Sequence, residues 1–98
     1  MKRLKKALVT VGLAGTLAAG AAGAANAAVT HPGGGTWDSG VSYWTNSVWS
    51  NYHHPTRAHG STACNSTRCN RSATVAPNRW SYASITASLG GNTTYWRY

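Results

Sequence analysis

The sequence predicts an all-β protein, and two observations carry that prediction. From Thr36 onward the chain consists of short runs rich in Thr, Val, Tyr and Trp, and clusters of Gly, Pro, Asn and Ser separate these runs as turns would. No stretch of it repeats apolar residues at the three- and four-residue spacing of an amphipathic helix. Six strands are therefore predicted, over Thr36–Tyr43, Val48–His53, His59–Cys64, Cys69–Ala76, Arg79–Thr86 and Thr93–Arg97.

The first 27 residues are predicted to be a helical signal peptide that is removed on export. Four Lys and Arg residues stand among the first six positions, and an uncharged stretch of Ala, Leu, Val and Gly follows from Ala7 to about Ala22. Ala25-Asn26-Ala27 supplies the small residues that signal peptidase requires, so cleavage is predicted after Ala27. A membrane anchor is disfavoured, because the apolar stretch is shorter than the roughly 20 residues of a spanning helix. The protein is expected to be secreted and extracellular.

Residues 28–35 are predicted to form a flexible lead-in to a domain that spans residues 36–98, because Pro32 and three consecutive glycines interrupt regular structure. After the predicted cleavage site the chain keeps five Arg, the single Asp38 and neither Lys nor Glu, which gives a formal charge of +4. These cations are spread singly along the sequence, so a nucleic-acid partner is not expected.

The third and fourth predicted strands indicate a hairpin closed by a disulfide. The four residues Asn65–Arg68 connect them, and Cys64 and Cys69 stand at the two ends of this connection. Outside the cytoplasm a lone pair of cysteines is most simply a disulfide. Turn residues also separate the other runs, so successive strands are predicted to be antiparallel neighbours; these turns are Asn46-Ser47, His54-Pro55-Thr56, Pro77-Asn78 and Gly90-Gly91-Asn92.

The composition argues against an enzyme. Glycoside hydrolysis needs two carboxylates, and the chain after the signal segment holds one, Asp38. His53, His54 and His59 could act as bases toward a nucleophile, but both cysteines are expected to be oxidised.

A zinc site is the alternative that the sequence leaves open, since His54, His59, Cys64 and Cys69 follow one another at five-residue steps. Residues five apart in a strand point to opposite faces of a sheet, so regular strands would not bring these side chains together. A disulfide with hydrogen-bonded histidines is preferred, and neither a metal nor a cofactor is predicted.

All five Trp and all five Tyr lie after the signal segment. Most are interpreted as replacements for Leu and Phe in a small core. The others leave two architectures open: two packed sheets whose ends are closed by aromatics, or a sheet that offers an aromatic face to a ligand. Trp and Tyr suit sugar rings and Arg suits phosphate, which points to envelope glycans or lipid headgroups.

Several short segments also occur in a recognisable order. They are Gly33-Gly34-Gly35-Thr36-Trp37, Ser50-Asn51-Tyr52-His53-His54, the Ser/Thr strand after His59, Trp80-Ser81-Tyr82-Ala83-Ser84-Ile85 and Gly91-Asn92-Thr93-Thr94-Tyr95-Trp96. Together they resemble the lactococcin 972 family of secreted bacteriocins. The resemblance implies a β-sandwich of two three-stranded antiparallel sheets, in agreement with the six predicted strands. The cysteine pair departs from the pattern of the family's founding member, so the disulfide is interpreted as an added staple.

The resemblance further implies an antibacterial protein that binds the cell-wall precursor lipid II and blocks septum formation in related Gram-positive bacteria. Lipid II or another envelope glycolipid is thus the expected partner, met at the membrane surface without spanning it. The family pattern assigns no contact residues. A predicted ligand site rests instead on the polar donors, aromatics and cation that cluster near one turn; it comprises Trp37, Tyr52, His53, His54, Arg57 and His59.

Two readings compete with these expectations. The histidines could simply satisfy hydrogen bonds at strand ends, and the protein could be a non-lethal secreted carbohydrate- or envelope-binding module. A membrane-permeabilising cationic peptide is disfavoured, because such peptides rely on Lys-rich amphipathic helices that this sequence lacks.

Overall fold

The computed structural model describes residues 4–5 and 25–98. These residues contain eight β-strands, and each strand pairs antiparallel with its neighbours. The strands are β1 (Leu4–Lys5), β2 (Ala25–Thr30), β3 (Thr36–Ser42), β4 (Ser47–His54), β5 (Gly60–Cys64), β6 (Cys69–Arg71), β7 (Arg79–Thr86) and β8 (Thr93–Arg97). One sheet has the order β2-β3-β4-β7, and the other has the order β1-β8-β5-β6, in which β1 contributes two residues. The predicted all-β class with two antiparallel sheets is confirmed.

The first sheet has four strands where three were expected, because β2 adds an edge strand. It pairs with β3 along its whole length, from Ala25 opposite Ser42 to Thr30 opposite Trp37. Its last two residues, Val29 and Thr30, are β-branched and suit an extended backbone. Part of the segment predicted as a flexible lead-in is therefore extended strand in the structure.

The prediction that successive strands are antiparallel neighbours was only partly correct. Hairpins join β3 to β4 and β5 to β6, but the chain crosses between the sheets after β4, after β6 and after β7. As a result β4 pairs with β7, and β5 pairs with β8. Each sheet buries one face against the other, so these crossings let distant segments share one surface.

Strand β6 is shorter than predicted, ending at Arg71 where the sequence indicated Ala76. Beyond Arg71, the hydroxyl oxygen of Ser72 accepts the Ser61 N–H at 2.9 Å, and the buried Arg97 guanidinium donates to the Ser72 carbonyl at 2.7 Å. These contacts turn the chain out of the ladder, which it rejoins only at a bridge between His59 and Val75. Burial lowers the pKa of Arg97, and nearby Arg71 lowers it further.

The core lies between the sheets in two apolar clusters. One contains Val41, Val48, Ala63 and Ala83, and the other contains Trp37, Tyr52 and Trp96. Buried serines are held by hydrogen bonds: the Ser50 hydroxyl accepts the Trp37 indole N–H at 2.9 Å and donates to the Tyr95 carbonyl at 2.9 Å. The interpretation of several aromatics as core residues is confirmed.

The glycine segment before β3 forms a 3-10 turn, Pro32–Gly34, against the end of the sandwich. Gly33 and Gly34 have φ angles of 65° and 85°, which side-chain-bearing residues rarely adopt. The Tyr52 hydroxyl donates to the Pro32 carbonyl at 2.7 Å, and burial raises the pKa of that hydroxyl, so it stays a neutral donor. The turn is thereby tied to the core.

Most of the predicted signal peptide, residues 1–27, lies outside the described residues. Of this segment the structure describes Leu4–Lys5 and Ala25–Ala27, both within strands. In the described part of the chain, no helix has the length and apolar character needed to cross a membrane.

The predicted disulfide between Cys64 and Cys69 is confirmed, and it joins directly opposed residues of β5 and β6. Replacing both cysteines with Ala is expected to lower the free energy of unfolding by about 2 kcal/mol, because the short loop is freed in the unfolded chain. Urea unfolding of the oxidised protein, the reduced protein and the double variant measures this. Coincident midpoints for the oxidised and reduced forms would contradict it.

Candidate functional site

The six residues predicted as a ligand site are divided between the interior and the surface. Trp37 and Tyr52 belong to the aromatic core cluster, and His54 and His59 are buried beside it. The rings of Tyr52, His54 and His59 lie within 5.5 to 6.3 Å of one another, so the structure does bring these three together.

The polar atoms of the two buried histidines are used inside the protein. His54 Nδ1 accepts the backbone N–H groups of Thr56 and Arg57 at 3.2 and 3.0 Å, which assigns the ring proton to Nε2, 3.0 Å from the Gly33 carbonyl. Both ring nitrogens of His59 lie 2.7 Å from backbone carbonyls. These contacts match the alternative in which histidines satisfy hydrogen bonds at strand ends.

The other two predicted residues face solvent at different places. Arg57 is exposed and its guanidinium carbon lies 3.9 Å from the centre of the Tyr98 ring, a cation–π contact. His53 lies on the outer face of the first sheet, with its ring 5.4 Å from that of Trp80. The six residues therefore do not share one accessible surface.

The zinc alternative has no support in the described residues. Cys64 and Cys69 are bonded to each other, and within residues 25–98 no three His, Cys, Asp or Glu side chains come together in a way that could hold a metal ion.

The outer face of the first sheet carries aromatic and polar side chains. Burial along β4 alternates strictly, so that Val48, Ser50, Tyr52 and His54 point inward and Trp49, Asn51 and His53 point outward. On the adjacent strand, Trp80 lies opposite His53, Tyr82 opposite Asn51 and Ser84 opposite Trp49. The rings of Trp80 and Tyr82 are stacked with centroids 6.4 Å apart.

A groove of about 420 Å³ opens on this face where the β5–β6 hairpin lies beside β7. The Asn70 amide donates to the Ser84 carbonyl at 2.8 Å and fixes the hairpin to the strand. The Trp49 indole N–H donates to Asp38 at 3.1 Å and so holds that ring in place. The lining residues are Trp49, Asn51, Asn70, Arg71, Tyr82, Ala83 and Ser84.

The groove combines three kinds of chemistry. Trp49 and Tyr82 offer aromatic faces, and Tyr82 is 67 % exposed. Asn51 and Asn70 carry amides, which both donate and accept hydrogen bonds. Arg71 adds a guanidinium, which suits phosphate or carboxylate. The volume of the groove lies within the usual range of small-ligand sites.

Sequence reasoning missed this groove, although part of its signal was present. The two-residue period of the predicted strand Arg79–Thr86 puts Trp80 and Tyr82 on one face. The same period applied to Val48–His53 puts Trp49, Asn51 and His53 on one face as well. What the sequence does not contain is the pairing of β4 with β7, which joins the two faces.

The fold and the groove define a class: small all-β proteins that present an aromatic and cationic groove on one sheet. Over residues 33–96, more than half of its length and every groove position, the chain matches the family model described as Bacteriocin (Lactococcin_972). This protein belongs to the lactococcin 972 family of bacteriocins, and the resemblance found in its sequence is confirmed. Membership indicates a secreted, non-enzymatic protein. The chain matches no curated protein and no solved structure.

Proposed function

We propose that this bacteriocin binds the cell-wall precursor lipid II through the groove on the first sheet and thereby inhibits septum and wall synthesis in related Gram-positive bacteria. The observation that carries the proposal is the meeting of Trp49, Tyr82 and Arg71 with two Asn amides in one groove. Lipid II presents two amino sugars, a pyrophosphate and a peptide at the membrane surface, and the sugars and the pyrophosphate each find a matching group there.

The division of labour follows from the side chains. The faces of Tyr82 and Trp49 pack against the apolar faces of the sugar rings, where contact with an aromatic removes both surfaces from water. The amides of Asn51 and Asn70 pair with hydroxyl and acetamido groups. The Arg71 guanidinium donates two parallel hydrogen bonds to a phosphate.

Electrostatics favour the same ligand. Asp38, the one acidic side chain after the predicted cleavage site, accepts a hydrogen bond from Trp49, while Arg68 and Arg71 of the β5–β6 hairpin are exposed. An anionic ligand that approaches this side of the molecule therefore meets mainly cations. The core positions Trp37, Tyr52, His54 and His59 support the sandwich, and His53 lies next to the groove as a secondary contact.

Export completes the proposal. The chain leaves the cell through the signal peptide, residues 1–27, and acts outside without catalysis. Cleavage after Ala27 would fall inside β2 and leave Ala28, Val29 and Thr30 paired with β3. The edge of the sheet next to Gly40 and Val41 would then be open.

The test is a binding measurement on the oxidised protein that an expression host has secreted. Vesicles that contain lipid II are expected to bind it far more tightly than matched vesicles without lipid II, and added lipid II is expected to protect sensitive cells. Killing without lipid II binding would contradict the proposal. If the protein is retained on intact peptidoglycan while sensitive cells grow normally, it would instead be identified as a non-lethal envelope-binding module.

A further inference from the structure

One end of the sandwich exposes large apolar side chains. Trp44 is 80 % exposed in the turn between β3 and β4, and Leu89 is 96 % exposed in the loop between β7 and β8. Tyr43, beside Trp44, is 36 % exposed. An exposed apolar patch built from several large side chains commonly marks an interaction site, and here the side chains come from two separate loops.

The two loops are fastened to each other. The Tyr43 hydroxyl donates to the Leu89 carbonyl at 3.3 Å and accepts from the Asn92 amide at 3.2 Å. The Ala87 N–H donates to the Asn46 carbonyl at 3.0 Å. Buried Asn92 also bridges both backbone groups of Ser88, at 2.9 and 2.8 Å. Trp44 and Leu89 are thus presented by a preformed support.

The chemistry of this end is apolar at its tip and cationic at its flank. Residues 43–46 and 87–92 contain no charged side chain. The β5–β6 turn is attached beside them through the Ser66 N–H, which donates to the Ser88 hydroxyl at 3.1 Å, and this turn carries exposed Arg68. Trp, Tyr and Leu next to Arg is the combination found where proteins meet a membrane interface.

We propose that this end, the docking tip formed by Tyr43, Trp44, Leu89 and Arg68, inserts into the headgroup region of an anionic lipid bilayer. The three apolar side chains expose on the order of 400 Å². That is about half of what each partner buries in a stable protein dimer, near 800 Å². It is sufficient for shallow insertion, in which a few apolar side chains and a cation act together.

The docking tip also determines how far the groove stands above the bilayer, and this step alone rests on the proposed function. Strand β4 leaves the tip at Ser47, so Trp49 and Asn51 lie two and four residues farther along. At about 3.3 Å per residue, these two groove residues lie roughly 7 and 13 Å along the strand from Ser47. A membrane-anchored sugar pyrophosphate stands at that height above the acyl chains.

Sedimentation with phosphatidylglycerol–phosphatidylcholine vesicles that lack lipid II tests the docking tip by itself. The double variant W44S/L89S is expected to lower the partition coefficient of the oxidised protein at least about tenfold. R68Q should lower it about fivefold, and only on anionic vesicles. The matched control is V29S, which removes an exposed aliphatic side chain, 61 % exposed, from a different part of the molecule and should change nothing.

Three results would overturn the proposal. The first is W44S/L89S sedimenting like the unmodified protein, and the second is V29S losing as much binding as the double variant. The third is a concentration-dependent dimer in analytical ultracentrifugation that W44S/L89S dissolves, which would assign the tip to self-association. Because these vesicles contain no lipid II, failure of the groove would leave the result unaffected, and a soluble lipid II headgroup should still bind W44S/L89S.

Discussion

Replacing Tyr82 with Thr and Arg71 with Gln is expected to lower the affinity for lipid II by about 100-fold and to raise the inhibitory concentration to a similar degree. Each change removes a contact worth roughly tenfold: an aromatic face for a sugar in one case and a bidentate phosphate donor in the other. Titration of lipid II vesicles measures the first quantity, and growth of a sensitive strain measures the second.

Both substitutions should leave the fold intact. Tyr82 and Arg71 are exposed, and neither side chain is part of the core clusters. Thr, like Tyr, is favoured in β-strands and suits the edge strand β7, and Gln keeps most of the length of Arg in β6. A thermal melt that overlays that of the unmodified protein confirms that affinity, not stability, has changed.

The chain offers a matched control for the charge. Arg79 is an exposed arginine on β7, at the opposite end of the strand from Ser84, and R79Q makes the same change in net charge. It should retain nearly full affinity. If R79Q and R71Q lose the same amount, lipid II is held by the overall charge of the protein and not by the groove. Tyr82→Phe, which keeps the ring face, should restore most of what Tyr82→Thr loses.

The strands were predictable because their period is short and their punctuation is strong. The predicted run Arg79–Thr86 coincides with β7, and the run Thr93–Arg97 coincides with β8. The alternation of inward and outward side chains along β4 can be recognised from the local sequence alone. Strand β2 was missed because glycines follow it closely and because half of it falls in the predicted signal peptide.

The groove was harder to predict, for a physical reason. The cluster predicted from Tyr52, His53 and His54 relied on proximity along the chain, but consecutive residues of a strand face opposite sides. The groove instead combines Trp49 and Asn51 with Asn70 and Arg71 from the other sheet's hairpin, and with Tyr82. Only the crossings between sheets bring these segments together, and nothing in the local pattern encodes them.

Family resemblance nevertheless pointed to positions that the structure explains, and Gly35 is the sharpest case. Its backbone is extended, with φ at −111° and ψ at −160°, so any residue could adopt it. The restriction is one of space: a Cβ would collide with the His53 carbonyl oxygen and would lie 2.7 Å from Cζ of Tyr52. The first partner is strand backbone, and the second is a fully buried ring.

Gly35→Ala is therefore expected to lower the free energy of unfolding by about 3 kcal/mol, since overpacking adds to strain on the partly buried hydrogen bond from Tyr52 to Pro32. For a domain of this size that corresponds to a melting temperature lower by about 15 °C. Gly90→Ala is the control, because no atom lies within 4 Å of its added Cβ and its φ is not positive, and it should stay within about 0.5 kcal/mol. Equal melting temperatures for the two variants would show that the 3-10 turn yields to the methyl group and that the glycine at 35 is not required by packing.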